Sequence, residues 1–360
     1  MTSATIAPGP STWLLLSDKV GDNAQLRAIA GALPWPCQER RLAMRPEFVL
    51  GKPPVRPSLE HLDRARSDPL EPPWPDLVLT IGRRPSSAAL WVAEQSGGRT
   101  RLVIVGRPRR LLERFDLVLT PAHYNVPDRP NVMRLHYPPV RPAEAAIAAA
   151  AAAWAPRLDA LDRPLLALLV GGRTGTHDVT PGLGAALARQ AAAAAAAAGG
   201  SLSVSTSRRT TAATVAAIAA ALPAGTPLYR WTDAPAENPY LALLGRADRF
   251  IVTGDSLSML VEVARLGKPL LIAPVPPAGG PLNRLAAALQ RRGLAPAARD
   301  FDRLHRLLIG QGLAARLGEP FPPGGRRAPD ELAAIAARIA SLVGASAGTS
   351  AGAARGGRAG

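Results

Sequence analysis

Short apolar runs alternate with polar turns and longer amphipathic stretches, and the cycle runs through both halves of the chain. In the first half the apolar runs are Trp13–Leu16, Leu77–Ile81, Leu102–Val105 and Phe115–Thr120. In the second half they are Leu165–Val170, Ser201–Val204, Leu228–Trp231, Phe250–Val252 and Leu270–Ala273. Each is too short for a stable helix, and most are rich in strand formers. Between them apolar residues recur at helical spacing: Leu26, Ile29, Ala30 and Leu33 within Ala24–Leu33, and Leu257, Leu260, Val261, Ala264 and Leu266 after Ser256. Ser87–Gln95, Gly182–Ala198, Asn283–Arg291 and Asp330–Val343 read as further helices, and Gln38–Met44 as a further strand. The proline-rich stretch Lys52–Pro75 reads as a surface excursion around a short helix at Leu59–Ala65. Unbroken apolar runs such as Leu165–Val170 belong to parallel strands buried on both faces. Strand, helix, strand in repetition predicts an α/β chain.

Pro138–Pro164 has prolines at both ends of an alanine-rich helix and reads as a linker. The expected layout is therefore a tail (1–11), a first domain (12–140), a linker (141–164), a second domain (165–343) and a disordered Gly/Ala/Ser/Arg tail (344–360). A weak internal likeness aligns Asp76 with Asp248, Gly82 with Gly254 and Ser86 with Ser258, which supports two domains of one architecture.

The candidate chemistry sits in the turns. Thr253-Gly254-Asp255-Ser256 follows a strand and opens a helix, so free backbone N–H groups, Ser256, Ser258 and the helix N-terminus suit a phosphate. Glu262, one further turn along, is placed for a sugar hydroxyl. Gly171-Gly172-Arg173 follows another strand and permits close approach to a phosphate, although it is neither a P-loop nor a dinucleotide fingerprint. Ser205, Arg208, Arg209 and Thr210 form a hydroxyl- and guanidinium-rich turn that suits a diphosphate, or an ordinary capped helix start. In the first domain the polar turn Ser17–Asn23 carries Asp18, Gly21, Asp22 and Asn23, with Gln25 just after. Its aspartates either cap the following helix or handle a ligand. Gly82, Arg83 and Arg84 follow a strand, where open α/β sheets bind ligands. His123 is the best-placed histidine for a general base, though a lone loop histidine is more often structural.

Composition narrows the partners. The chain has 360 residues and a formal charge of +16, favouring phosphate-bearing or other anionic partners. Of its 43 basic residues only Lys19, Lys52 and Lys268 are lysine, the mark of a high-GC genome. Nucleic acid ranks last, because the arginines are scattered and no reader motif is present. A lone cysteine, Cys37, excludes an intramolecular disulfide and suits a reducing cytosol. No signal peptide, membrane span or metal-ligand spacing is visible.

The ordered blocks Gly21–Gln25, Pro75–Arg84, Gly106–Arg109, Leu169–Gly172, Ser205–Thr210, Asn238–Tyr240 and Val252–Glu262 resemble the mitochondrial fission family of the elongated-mitochondria type. Bacterial members often carry the label of nucleoside-diphosphate-sugar epimerases, yet the dinucleotide fingerprint and Tyr-x-x-x-Lys pair of such enzymes are missing. The family is in turn similar to GT-B glycosyltransferases. That resemblance implies two Rossmann-like domains facing across a cleft, with the nucleotide-sugar held mainly by the second and Glu262 on the ribose. It implies a metal-independent glycosyltransferase with a nucleotide-sugar as substrate and no tightly bound cofactor. The donor would meet Gly171, Gly172, Arg173, Ser205, Arg208, Arg209, Thr210, Asp255, Ser256, Ser258 and Glu262. Asp18 would be the base, with Gly21, Asp22, Asn23, Gln25, Gly82, Arg83, Arg84 and His123 on the acceptor side. A lipid-linked or anionic acceptor and peripheral contact with the inner membrane face complete the expectation for a cytoplasmic protein. The alternative is a non-catalytic adaptor, because the plant member is described as helping to recruit a dynamin-like GTPase.

Overall fold

The computed structural model describes residues 9–49, 55–141, 143–174, 177–232, 234, 238–278, 289 and 300–353. The chain divides into two compact units, residues 1–140 with 330–360, and residues 141–329.

The first unit opens with β1 (Thr12–Leu16), α1 (Val20–Ala30), β2 (Gln38–Arg41), α2 (Pro46–Val49), β3 (Leu77–Ile81), α3 (Arg83–Gln95), β4 (Arg101–Val105), β5 (Leu117–Pro121) and β6 (Val132–Leu135). The strands form one parallel sheet in the order β2-β1-β3-β4-β5-β6. Side chains alternate across a strand, so each apolar run feeds two cores. Leu14, Leu16, Leu77 and Leu79 pack on one face with Leu26 and Ile29 of α1. Trp13, Leu15, Val78 and Ile104 pack on the other with Leu90 and Val92 of α3. Burial on both faces is why these runs lack a polar alternation.

The second unit contains α4 (Glu144–Leu158), β7 (Leu166–Val170), α5 (Pro181–Ala197), β8 (Leu202–Thr206), α6 (Ala212–Ala221), β9 (Leu228–Tyr229), α7 (Tyr240–Arg246), β10 (Arg249–Thr253), α8 (Leu257–Arg265), β11 (Leu270–Ala273), α9 (Phe301–Gly310) and β12 (Ala315–Arg316). Its sheet is again parallel, in the order β12-β11-β10-β7-β8-β9. Small residues let helices approach closely. A Cβ at Gly184 of α5 would lie 2.9 Å from Thr214 Cγ2 of α6.

Several expectations are corrected. Residues 141–164 are not a separate linker: α4 buries Ile147, Trp154 and Leu158, and a Cβ at Gly245 of α7 would lie 3.0 Å from Ala151 Cβ. The last helix, α10 (Leu332–Ala353), belongs to the first unit rather than the second. Its Leu332, Ile335 and Ile339 are buried with the β1 and β3 leucines, and Glu331 accepts the backbone N–H groups of His136 (3.0 Å) and Tyr137 (3.2 Å). The helix also runs on into the segment expected to be disordered, as far as Ala353. Leu59–Ala65 forms turns instead of a helix, with Leu62 bridging Met44. Both α1 and α3 begin earlier than their apolar periodicity implies, so Gly21, Asp22, Asn23, Arg83 and Arg84 lie within helices rather than in the preceding turns. The helix expected over 283–291 lies, except for Leu289, outside the described residues.

Candidate functional site

An open parallel sheet offers a crevice where connections from neighbouring strands run to opposite sides. In the second unit the chain steps outward from β7 to β9, then returns beside β7 as β10 and steps outward the other way. The loops after β7 and β10 therefore meet at the switch point, and the loop after β8 joins them.

A buried carboxylate ties the three together. The Asp255 side chain is 0% exposed. Its Oδ2 accepts the Gly172 N–H (3.0 Å) and Arg209 Nη1 (2.7 Å). Arg209 also donates from Nη1 to the Gly172 carbonyl (3.1 Å) and from Nη2 to Ser256 Oγ (2.9 Å). Thr253 Oγ1 accepts the Gly171 N–H (2.7 Å), while Ser207 (2.9 Å) and Thr210 donate to the Gly171 carbonyl. A Cβ at Gly171 would strike the Asp255 carboxylate, and one at Gly172 the Arg209 backbone. The two glycines are thus required by loop-on-loop packing.

That clamp leaves the start of α8 without a side-chain cap. Thr180 and Thr211 cap α5 and α6 by accepting Leu183 and Thr214 N–H groups. Ser256 makes no such cap on α8; its hydroxyl accepts from Arg209. The first-turn N–H groups and dipole of α8 thus lie beside the Arg209 side chain, which is one-third exposed (34%).

Further along α8, Glu262 Oε2 accepts the Tyr240 hydroxyl. Burial pushes the Glu262 carboxyl up to about 7, against the pull of Tyr240 and Arg265. Burial and the facing carboxylate hold the Tyr240 hydroxyl well above its ordinary range. On the other side of the turn, His305 of α9 lies 2.8 Å from the Gly254 carbonyl through Nε2, which therefore carries the proton. His177 stacks on Phe301 (4.8 Å between centroids), and burial lowers its pKa.

The first unit repeats the geometry. Its switch point lies between β1 and β3. Asp18 Oδ1 lies 3.7 Å from Arg84 Nη1, and Asp22 lies 3.8 Å from Lys19. Asn23 is a local brace, accepting the Ser17 N–H (3.0 Å) and donating to its carbonyl (2.8 Å). Gln25 donates to the Gly21 carbonyl (3.4 Å). Gly82 has φ +83°, a conformation that favours glycine, and a Cβ there would lie 3.5 Å from Asp22. Arg83 is half-buried in the first turn of α3. His123 is buried against Tyr124, with ring centroids 4.2 Å apart.

Of the expected donor residues, Gly171, Gly172, Arg209, Thr210, Asp255 and Ser256 form one hydrogen-bonded group. Ser258 and Glu262 follow on α8. Ser205 is buried within β8, and Arg173 and Arg208 are exposed. Sequence reasoning missed Thr253, Ser207, Tyr240 and His305. Thr253, Ser207 and Tyr240 lay inside the blocks Val252–Glu262, Ser205–Thr210 and Asn238–Tyr240 without being singled out, and nothing in the sequence pointed to His305. Among the described residues no cluster of His, Cys, Asp or Glu could hold a metal ion, and no helix is long and apolar enough to cross a membrane.

Two parallel six-stranded sheets with interleaved helices, each with polar loops gathered at its switch point, define a GT-B-like protein of two Rossmann-like units. The chain belongs to the mitochondrial fission ELM1 family, whose model matches residues 20–341. It is 26% identical over 253 residues to the mitochondrial fission protein ELM1 of Arabidopsis thaliana, covering 63% of this chain and 58% of the plant protein. The match thus spans little more than half of that relative. Among solved structures, the UDP-GlcNAc 2-epimerase of Neisseria meningitidis bound to UDP-GlcNAc is similar with a TM-score of 0.50 and 11% identity, over 92% of this chain and 99% of that one. MurG of Acinetobacter baumannii is similar with a TM-score of 0.42 and 15% identity, over 94% of each chain. At these identities the likeness concerns the fold alone.

Proposed function

We propose that the protein is a nucleoside-diphosphate-sugar-dependent glycosyltransferase whose donor lies on the second unit. The observation that carries this reading is the guanidinium of Arg209 fixed beside the uncapped start of α8. Preorganised N–H dipoles and a positive charge at that spot stabilise a departing diphosphate without reorganisation. Ser256 and Ser258 line the same turn, and Glu262 takes the ribose. Asp18 serves as base toward an acceptor hydroxyl, with Arg83 and Arg84 drawing a lipid-linked or anionic acceptor at a membrane face. The UDP-GlcNAc in the Neisseria epimerase makes UDP-sugars the first probes. A second reading, a nucleotide-binding adaptor without catalysis, draws on the Asp255 carboxylate that offsets the charge of Arg209.

A thermal-shift screen against UDP, GDP, ADP, CMP and their sugars tests the site. Saturable stabilisation of several degrees by one nucleotide series is expected; no shift with any of them sinks the donor site. Release of free nucleotide from the matching sugar donor, lost in Asp18→Asn with binding intact, separates the enzyme from the adaptor.

A further inference from the structure

Glu262 is four residues beyond Ser258 on α8, so the two share a face about 6 Å apart along the axis. That is about the span from a diphosphate to the hydroxyl edge of its ribose. A glutamate side chain has several rotamers, and only some keep a carboxylate oxygen at that position. The Tyr240 hydroxyl removes this freedom by donating to Oε2. Its platform is firm. Ala242, Leu243 and Leu244 of α7 are buried, Gly245 abuts α4, and Lys268 Nζ donates to the Ala247 carbonyl at the end of the helix (2.9 Å).

We infer that Tyr240 is a positioning residue that fixes Glu262 Oε2, so that Oε1 accepts from a ribose hydroxyl and the site selects ribonucleotides. The inference rests on the donor site proposed above and goes beyond it by naming the residue behind its sugar specificity. Tyr240 touches no ligand and acts through Glu262 alone.

The test is calorimetric titration of the full-length protein with UDP, GDP and ADP, each beside its 2′,3′-dideoxy analogue, and with inorganic pyrophosphate. The wild type is expected to prefer one ribonucleotide over its dideoxy analogue by about tenfold or more, the range of a hydrogen bond to a charged group. Tyr240→Phe should cut that preference to below about threefold and leave pyrophosphate affinity unchanged, a split that general loosening of the fold would not give. Tyr240→Phe added to Glu262→Ala, which removes the acceptor altogether, should cost nothing more than Glu262→Ala alone, and thermal melts of each variant verify folding. Wild-type preference retained in Tyr240→Phe, or additive losses in the double variant, overturns the inference while the donor site stands. A wild type that binds no nucleotide overturns the donor site, and the inference with it.

Discussion

Glu262 faces two opposed demands, stability and binding. An ordinary glutamate titrates near 4.5, whereas burial raises this one to about 7. Between those values the folded state holds a proton that the unfolded chain has released. Its contribution to stability is therefore full below about pH 4.5 and is lost as the pH rises through 7. The loss amounts to about 3 kcal/mol for a gap of this size. Glu262→Gln keeps an acceptor for Tyr240 and removes the charge, so it should melt above the parent at pH 8 and close to it at pH 4.5. Melting curves that differ equally at both values would contradict the assigned titration. Asp255 raises the complementary issue of a buried charge. Its side chain is sealed from solvent and Arg209 is its ion-pair partner, so Arg209→Ala leaves an uncompensated buried carboxylate. A loss of about 3–5 kcal/mol in denaturant unfolding is expected. A loss below about 1 kcal/mol would show that the clamp does not hold the three loops.

The strand, turn and helix of β10 and α8 were legible because three independent signals agree there: an apolar run, turn residues and helical periodicity ending at Gly267, which has φ +68°. The interior strands were legible for the same reason, since burial on both faces leaves an unbroken apolar run. Element starts were harder. The first turn of α1 is Val20-Gly21-Asp22-Asn23, with Val20 68% exposed and three residues that favour turns. Nothing local marks it as helical, and its order comes from the Asn23 brace on Ser17. Edge strands β6 and β12 escaped notice because they are short and half solvated. At the site, residue types and loops were legible, whereas the partnerships were not. The link from Arg209 to Asp255 spans 46 positions and that from Tyr240 to Glu262 spans 22, and no local pattern encodes such pairings.

At the scale of the whole molecule, chain order misassigned α10. Its periodicity revealed an apolar face but not which sheet would cover it. Three large residues, Leu332, Ile335 and Ile339, are fully buried against the first unit. Each contributes about 1.5–3 kcal/mol, so truncation after Pro329 should unfold or severely weaken the first unit while the second survives. Scanning calorimetry of the truncated chain should show the transition of the first unit lost or displaced downward. An unchanged profile would contradict the packing. This division of the chain also separates the proposed acceptor side, at the β1–β3 switch point, from the donor side at β7–β10. The donor site is tested directly by a crystal structure of the protein with the nucleoside diphosphate selected by the thermal-shift screen. The prediction is a diphosphate at the first turn of α8 beside Arg209, with Glu262 on the ribose. A nucleotide seated elsewhere, or a ribose clear of Glu262, would contradict it.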